Sequence, residues 1–339
     1  MDRDVIMADA RAVCARVGLD RLSDARVLIT GASGLIGTYF LGCLAALNEA
    51  GGRVEVVAQV FSEPPVHLQP LIERSRATLL RVNLSEFRDY AQLPEADVIV
   101  HGAGYAQPLR FMSAAAATLQ IGTAATLALL QRVRPGGHFL FLSSAQVYTG
   151  LNGSVCAESM VGTTTPAHPR SSYIEGKRAG EAACHAFRSA GTHATVARLG
   201  DVYGPGTRAH DKRALNAFIE QALTSGEIRM LDSGSAVRSY GYVADAVDRL
   251  WRILLTGRDT VYNVGGRQLT TIANVAGLIG RLTGAAVRPG PSGAGVAGAP
   301  DALRLDLTRV NAEFGEQDEI ALEEGLAATI AWQRRLYPS

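Results

Sequence analysis

Short apolar runs alternate with longer amphipathic segments along much of the chain. The runs are continuously apolar, which is typical of strands buried on both faces of a parallel sheet. Strands that alternate with helices predict right-handed βαβ units and a doubly wound α/β fold. The predicted strands are Arg26–Thr30, Val54–Val60, Thr78–Val82, Asp97–His101, His138–Ser143 and His193–Leu199. The helices predicted between them include Thr38–Asn48, Ala114–Arg134 and Tyr173–Ala190.

Both ends of the chain depart from that alternation. Within Met1–Asp24, apolar residues recur at helical spacing, which predicts an amphipathic helix packed on the domain that follows. Beyond Pro205 the alternation weakens, and Gly284–Pro300 is a loop rich in Gly, Pro and Ala. The elements predicted there are helices Thr207–Gly226, Leu269–Thr283 and Leu322–Tyr337 and strands Ile228–Leu231 and Val261–Val264.

Composition narrows the class of protein. With 339 residues, 47% of them hydrophobic and 19% charged, the chain has enough apolar surface for a core and is not a disordered protein. A net charge of +1 argues against a nucleic-acid binder, and no apolar run is long enough to span a membrane. The sequence therefore predicts a cytoplasmic protein without a metal site, since its cysteines lack metal-binding spacing and are expected to be free thiols. They are Cys14, Cys43, Cys156 and Cys184.

Three glycines lie between the first predicted strand and the helix after it. The first allows a tight turn, the second lets the backbone approach a pyrophosphate, and the third lets the helix pack close to the strand. The start of the helix then offers unpaired N–H groups to the phosphates. A strand–helix turn without a ligand is the alternative, but the position on the first strand of the domain favours dinucleotide binding. The residues expected to line the phosphates are Gly31, Ser33, Gly34, Leu35, Ile36 and Gly37.

The end of the second predicted strand bears on which dinucleotide binds. An acidic residue is expected there, roughly 20 residues beyond the glycines, to hold the adenosine ribose. Gln59 occupies that place and has the polar groups to hydrogen-bond a ribose hydroxyl. No Arg follows at residues 60–62 to attract a 2′-phosphate, and Glu63 is a candidate substitute for the missing acid. The pattern favours NAD over NADP.

Two polar motifs suggest catalytic chemistry. Tyr173 and Lys177 are four residues apart on a predicted helix and share one face. A neighbouring ammonium favours the phenolate, so we expect the pKa of Tyr173 to fall below its usual value of about 10, which suits a general base for a substrate hydroxyl. Ser144 follows the fifth strand, at the edge where doubly wound sheets bind ligands, and can donate to the same oxygen. Taken singly, these motifs are also typical of an exposed helix and a strand-end cap.

Seven segments carry a family resemblance, and they occur in the family's order. They are ITGASGLIG, HGAGYAQP, LSSAQVY, YIEGK, RLGDVYGPG, VRSYGYVADAV and YNVGG. Residues 25–335 thereby resemble the extended short-chain dehydrogenase/reductases, in particular the nucleotide-sugar epimerase/dehydratase group. The N-terminal helix and the segment PRSSYIEGKRAGE are most similar to the UDP-glucuronate decarboxylase-like and sugar-dehydratase branch. The resemblance implies a Rossmann domain, NAD as cofactor, a nucleotide-sugar substrate and a catalytic triad of Ser144, Tyr173 and Lys177.

The resemblance also implies further ligand contacts. The guanidinium of Arg238 would clamp the nucleotide diphosphate, a task that suits its forked donors. The additional cofactor contacts implied are Asn83, Leu84, Ala103, Gly104, Tyr173 and Lys177. The substrate contacts implied are Gln146, Asp201, Asn216 and Arg238.

Departures from the family pattern bear on the reaction. Dehydratases of the group carry an Asp-Glu pair after the catalytic Ser or Thr and decarboxylases keep the Glu, but Ala145 and Gln146 stand here. Gln cannot take a proton from the sugar C5. Asp201 and Leu119 also replace family Asn residues, which indicates an altered pocket. A 4-epimerase needs only the triad, retained NAD and room for a 4-keto sugar to turn, so the residues favour NAD-dependent 4-epimerisation.

Alternatives to the epimerase remain. Within the family these are a dehydratase, a decarboxylase or a 4-keto reductase, and in another class a non-catalytic NAD-binding regulator. Helices Ala114–Leu130 and Leu322–Trp332 are candidates for a homodimer interface, with ordinary core packing as the other explanation. The predicted division of the chain is 1–24 for the N-terminal helix, 25–205 for the NAD-binding domain with 237–257 returning to it, and 206–236 with 258–339 for a smaller α/β substrate domain.

Overall fold

The computed structural model describes residues 4–151, 153, 155–291 and 302–337. The strands in them are β1 (Arg26–Thr30), β2 (Glu55–Val60), β3 (Thr78–Arg81), β4 (Ala96–His101), β5 (Val133–Ser144), β6 (Val155–Cys156), β7 (His193–Leu199), β8 (Asp201–Tyr203), β9 (Glu227–Arg229), β10 (Val237–Tyr242), β11 (Val261–Val264), β12 (Leu269–Thr271), β13 (Ala286–Arg288) and β14 (Arg304–Leu305). The α-helices are α1 (Val5–Val17), α2 (Leu35–Glu49), α3 (Gln69–Ser75), α4 (Pro108–Ser113), α5 (Ala115–Gln120), α6 (Thr126–Leu130), α7 (Ser171–Ser189), α8 (Ala214–Ser225), α9 (Val243–Thr256), α10 (Ile272–Thr283), α11 (Thr308–Phe314) and α12 (Leu322–Gln333). Short 3₁₀ turns cover Leu19–Leu22, Val66–Leu68, Phe87–Gln92 and Ala145–Tyr148, and a π turn covers Ile121–Ala125.

The central element is a seven-stranded parallel sheet in the order β11-β7-β5-β4-β1-β2-β3. The strand order reverses between β1 and β4, which is the topological switch point of a Rossmann fold and the place where dinucleotides bind. Thr30 at the end of β1 pairs with Gln59 on one side and His101 on the other, so the ends of these strands share one edge. The predicted doubly wound α/β fold is confirmed.

One strand of the sheet comes from outside the predicted Rossmann segment. β11 pairs in parallel with β7, with Val261 opposite Val196 and Val264 opposite Leu199. The sequence assigns residues 258–339 to the substrate domain, whereas β11 belongs to the seven-stranded sheet of the NAD-binding domain. The remaining strands form three small sheets, β12-β10-β8, β13-β9 and β14-β6.

The predicted N-terminal helix is present as α1, which packs on α2 and α9. The approach to α2 is close because Gly42 has no side chain: a Cβ there would lie 3.3 Å from the Cβ of Ala10. Asp9 of α1 accepts hydrogen bonds from the hydroxyl groups of Tyr39 on α2 and Tyr242 at the end of β10, both at 2.9 Å. The helix therefore joins the NAD-binding half to β10.

The helical stretch predicted over Ala114–Arg134 is present as α5, the π turn and α6 in unbroken succession as far as Leu130, but the chain is already extended from Val133. A π turn inserts an extra residue into the helical ladder. The C-terminal limit fails because Arg134 precedes a proline, and such residues avoid the helical region.

Two C-terminal predictions are also corrected. The helix predicted from Thr207 begins only at Ala214, and residues 207–213 form a non-helical connection. The helix predicted from Leu269 is a strand up to Thr271, whose hydroxyl then caps α10 by accepting from the N–H of Asn274. Within the predicted loop Gly284–Pro300, β13 pairs with β9, and residues 292–300 lie outside the described part of the chain.

Candidate active site and dinucleotide groove

The glycine-rich turn is packed so tightly that larger residues would not fit. Gly31 has φ +68°, and a Cβ there would lie 2.8 Å from the backbone of Ala103. A Cβ on Gly37 would lie 2.4 Å from the carbonyl oxygen of Gly31. Helix α2 begins at Leu35 directly after the turn, with no side-chain cap and no acidic residue in its first turn. Its first N–H groups are therefore available to an anion, as phosphate binding requires.

Gln59 supports this turn from within. Its side-chain Oε1 accepts from the N–H of Gly31 at 2.9 Å, and its Nε2 donates to the carbonyl oxygen of Val82 at 2.7 Å. The side chain is only 2% exposed. The expected contact between Gln59 and the ribose is therefore replaced by a structural role, which joins the turn to the segment after β3. Glu63, the alternative acid, is exposed and forms an ion pair with Arg81 at 2.5 Å.

The residues expected around the adenine and beside the cofactor lie along the same edge of the sheet. Asn83 Oδ1 accepts from the N–H and the hydroxyl of Ser85, at 3.0 and 2.8 Å, so its side chain orders its own turn. The side chain of Leu84 packs in the core. The N–H of Ala103, which precedes Gly104, donates to the hydroxyl of Thr30 at 3.3 Å and thus ties the ends of β4 and β1 together.

The predicted triad comes together between β5 and α7. Ser144 is the last residue of β5, and its hydroxyl accepts from the N–H of Gln146 at 3.2 Å. The same hydroxyl is near enough to the phenol of Tyr173 to act towards a lower pKa of that phenol. Lys177, one turn along α7, donates from Nζ to the carbonyl oxygen of Leu142 at 2.6 Å. The same ammonium lies 5.7 Å from the centroid of the Tyr173 ring. The structure thus brings the three side chains together at the end of β5.

Burial is the largest cause of the pKa shifts of Tyr173 and Lys177. It raises the pKa of Tyr173, and the hydrogen bond from Ser144 opposes that rise. It also lowers the pKa of Lys177 to about 8, against the opposing charge of Glu181. The expectation that the lysine brings the tyrosine below its usual pKa is wrong for this structure, because loss of solvent penalises the phenolate more than the neighbouring charges favour it.

A buried network, which the sequence did not predict, holds the triad elements in place. Arg198 of β7 donates to both carboxylate oxygens of Glu181, with the shortest contact at 2.7 Å, and to the hydroxyl of Tyr148 at 2.9 Å. Ser143, next to Ser144, donates to Glu181 at 2.5 Å. The helical spacing of Lys177 and Glu181 was the available signal, since four residues place both on one face of α7.

Charged side chains cluster on the substrate side of the triad. The predicted contact Arg238 lies 3.7 Å from the carboxylate of Asp201, measured from Nε to Oδ2. Burial raises the pKa of Asp201, while the charges of Arg238, Arg213 and Arg170 lower it. The negative charge of Asp201, which would repel a diphosphate, is thus balanced by neighbouring guanidinium groups. Sequence reasoning missed Arg170 and Arg213, which lie far apart along the chain.

Two other predicted substrate contacts have protein partners. Gln146 Oε1 accepts from Nη1 of Arg170 at 3.1 Å. Asn216 is 5% exposed, and its Oδ1 accepts from Nε2 of Gln333 on α12 at 2.9 Å. Gln146 therefore lies beside the triad, whereas Asn216 bonds to the C-terminal helix.

Comparison with known proteins identifies the family. The sequence model of the NAD dependent epimerase/dehydratase family matches residues 27–265. The chain belongs to this family. UDP-glucuronic acid decarboxylase 5 of Arabidopsis thaliana is 31% identical over 312 residues, which are 90% of this chain and 88% of that protein. A dTDP-4-dehydro-6-deoxy-D-allose reductase of a Streptomyces species is 29% identical over 326 residues, 93% of this chain and 98% of that protein.

Solved structures of the family share the fold. A dTDP-glucose 4,6-dehydratase from Streptomyces venezuelae, solved with NAD bound, superposes with a TM-score of 0.77 at 24% identity, covering 91% of this chain and 97% of that one. A UDP-glucose 4-epimerase from Thermotoga maritima, solved with UDP-glucose, has a TM-score of 0.75 at 24% identity and coverages of 92% and 99%. The protein is accordingly an enzyme of the NAD dependent epimerase/dehydratase family.

The groove fits the family's cofactor, NAD. The uncapped start of α2 suits the diphosphate, and the close packing at Gly31 and Gly37 leaves the backbone as its lining. His101, at the end of β4, is fully buried between Thr30 and Ile121, and burial lowers its pKa to about 3, so the ring stays neutral. Among the described residues no group of three or more His, Cys, Asp or Glu side chains is arranged to hold a metal ion. None of the helices described is long and apolar enough to cross a membrane.

Proposed function

We propose that this enzyme is a 4-epimerase of nucleotide sugars. The proposal rests on the two uncharged residues that follow Ser144. Ala145 is buried, and the amide of Gln146 is hydrogen-bonded to Arg170 at 3.1 Å. An amide oxygen paired with a guanidinium does not remove a proton from C5 of a sugar. The triad supports chemistry at C4 alone, which is what 4-epimerisation requires.

The residues of the site suggest how the reaction proceeds. NAD held in the groove supplies the acceptor, and later the donor, of the hydride at C4. Tyr173 Oη takes the proton of the C4 hydroxyl, while the hydroxyl of Ser144 donates to the same sugar oxygen. Lys177, held by Leu142, supports the phenolate with its positive charge. After the 4-keto sugar has turned, Tyr173 would return the proton to the C4 oxygen as the hydride is delivered to the opposite face of C4.

The arginines near Asp201 support a substrate that carries a nucleotide diphosphate. Arg170, Arg213 and Arg238 are all close enough to Asp201 to lower its pKa. Guanidinium groups hold diphosphates with paired, charge-assisted hydrogen bonds. Arg213 also pairs with Asp211 at 2.5 Å, so two carboxylates lie among the three arginines and one net positive charge is left for the phosphates.

Decarboxylation of a uronic acid sugar is the second candidate. The observation that favours it is the similarity to UDP-glucuronic acid decarboxylases, among them one from Xenopus tropicalis that is 29% identical over 91% of this chain and 72% of that protein. The same arginine-rich cleft suits a sugar carboxylate. Oxidation at C4 by the triad is common to both candidates.

Product analysis separates the candidates. The purified enzyme is incubated with UDP-, dTDP-, GDP- and CDP-sugars, including uronic acids, and the products are analysed by NMR and mass spectrometry. A 4-epimerase forms a product of unchanged mass with inverted C4 and no net reduced nicotinamide. Release of carbon dioxide with formation of a pentose identifies a decarboxylase, and consumption of NADH by a 4-keto sugar identifies a reductase. Either of these would overturn the epimerase proposal.

The homodimer stays a prediction. In the candidate region on α5 and α6, Leu119 is 40% exposed and Leu127 is 45% exposed. Leu119 lies on α5 and Leu127 on α6, within the helix named as a candidate interface. Light scattering of the purified protein tests it.

A further inference from the structure

Arg208 reaches over the glycine-rich turn from the segment that connects β8 to α8. Its Nε donates to the carbonyl oxygen of Ser33, at 3.2 Å. It forms no other hydrogen bond or ion pair with any residue that the structure describes, so both terminal amino groups of its guanidinium are available. Ser33 belongs to the turn that faces the cofactor's phosphates. The free donors of Arg208 are therefore close to the place where the diphosphate of NAD binds.

The residues that precede Arg208 are packed against α12 and α2. The neighbouring Thr207 is 2% exposed, and its carbonyl oxygen accepts from the indole N–H of Trp332 at 3.0 Å. Gly206 packs on the first turn of α2, since a Cβ there would lie 3.4 Å from Cδ1 of Leu35. The approach of Arg208 to the turn is thus part of the packing between this segment, α2 and α12.

A second guanidinium comes from helix α4. Burial and the charge of Arg110 both lower the pKa of Arg208, so this second cation acts on the first. No carboxylate is among the groups that shift the pKa of Arg208. Burial lowers the pKa of His67, which faces Arg208 from the loop after β2, to about 4, so this ring adds no charge. Two neighbouring cations without a counter-charge repel each other, and an anion between them relieves that repulsion.

We propose that Arg208 and Arg110 form an outer clamp on the diphosphate of NAD, opposite the N–H groups of the glycine-rich turn. Guanidinium groups suit this task because they offer several donors in a plane to phosphate oxygens. The clamp does not depend on which sugar reaction the enzyme performs. It couples cofactor retention to the segment 204–213, which connects β8 to α8.

The proposal is tested by cofactor binding. Affinity for NAD is measured by calorimetry for the wild-type enzyme, Arg208→Gln, Arg110→Gln and Arg208→Lys, at low and high salt. Lys212→Gln is the matched control, because Lys212 is an exposed cation on the same segment that pairs with Glu220 at 3.5 Å. We expect Arg208→Gln to weaken NAD binding about tenfold and Arg110→Gln by several-fold, with partial rescue in Arg208→Lys. Binding should also become less sensitive to salt.

A purely structural role gives a different pattern. The affinity for adenosine, which lacks phosphates, is expected to be the same in Arg208→Gln and in the wild type. Equal losses for adenosine and NAD would overturn the proposal, since the groove itself would then be distorted. Unchanged NAD affinity in both glutamine variants, or a loss in Lys212→Gln equal to that in Arg208→Gln, would overturn it as well.

Discussion

The ring of Phe111 stacks on the ring of Tyr173, with centroids 4.5 Å apart and an interplanar angle of 15°. Phe111 is 2% exposed and comes from α4, whereas Tyr173 comes from α7. The stack covers one face of the phenol with hydrocarbon and contributes to the burial that raises its pKa. The neighbouring residue on α4 is Arg110, so one short helix serves both the phenol and the proposed diphosphate clamp.

Removal of the phenol hydroxyl should abolish turnover without loss of cofactor binding. Tyr173→Phe keeps the stack on Phe111 but removes the atom that carries the proton. We expect kcat to fall by a factor of about 10³ or more, in line with the loss of a general acid–base group. Steady-state kinetics and NAD titration of the same preparation check both parts. Full activity in the variant would refute the assignment of the base.

The charge on Lys177 should set the alkaline behaviour of alcohol oxidation. The lysine is protonated below its pKa of about 8 and neutral above it. Its positive charge favours the phenolate of Tyr173, so Lys177→Met should raise the pKa of that phenol further. The rising limb of kcat/KM for oxidation is then expected to move to higher pH by about one unit. An unshifted pH profile, with kcat alone reduced, would assign Lys177 to cofactor positioning instead.

The close contact between Gly122 and Gly176 should be intolerant of a methyl group. A Cβ on Gly122 would lie 2.6 Å from the carbonyl oxygen of Gly176, which precedes Lys177 on α7. Gly122→Ala is expected to lower the free energy of unfolding by about 1–3 kcal/mol and to reduce kcat, because α7 must shift. Gly277→Ala is the control, since a Cβ there meets nothing within 4 Å inside α10. This change should stabilise the protein by about 0.5–1 kcal/mol, as denaturant titration can show.

The carboxylate of Asp9 should matter as an acceptor more than as a charge. Asp9→Ala leaves the hydroxyl groups of Tyr39 and Tyr242 without their acceptor, at an expected cost of about 1–3 kcal/mol each. Asp9→Asn keeps an acceptor and should cost less. Urea denaturation at neutral pH compares the two variants, and equal losses would contradict the proposed acceptor role.

The pH dependence of the same residue has a defined sign. Burial raises the pKa of Asp9 above its ordinary value of 3.8 in the folded protein. Protonated Asp9 therefore contributes fully to the free energy of unfolding below about pH 3.8. This contribution is lost as the pH rises through the pKa that Asp9 has in the folded protein. Relative to Asp9→Asn, the wild type should lose stability over that interval. A constant difference between the two across this range would show that Asp9 titrates normally.

Local patterns predicted those features that depend on neighbours in sequence. The continuous apolar runs and the helices between them determined the parallel sheet, because burial on both faces demands such runs. Gly31, Gly34 and Gly37 located the phosphate-binding turn, and the four-residue spacing of Tyr173 and Lys177 placed both on one helix face. All of these inferences rest on the period of a strand or a helix, or on the steric needs of a single turn.

Contacts between distant segments decided the rest. Only the tertiary structure turns the amide of Gln59 inward to Gly31 and Val82, and only it sets the hydroxyl groups of Tyr39 and Tyr242 on Asp9. The direction of the pKa shift of Tyr173 was likewise not available from its spacing to Lys177, because burial, to which the remote residue Phe111 contributes, is the largest cause of that shift. Hydrogen-bond direction and desolvation depend on what the folded chain brings together, and a pattern along the sequence does not contain that information.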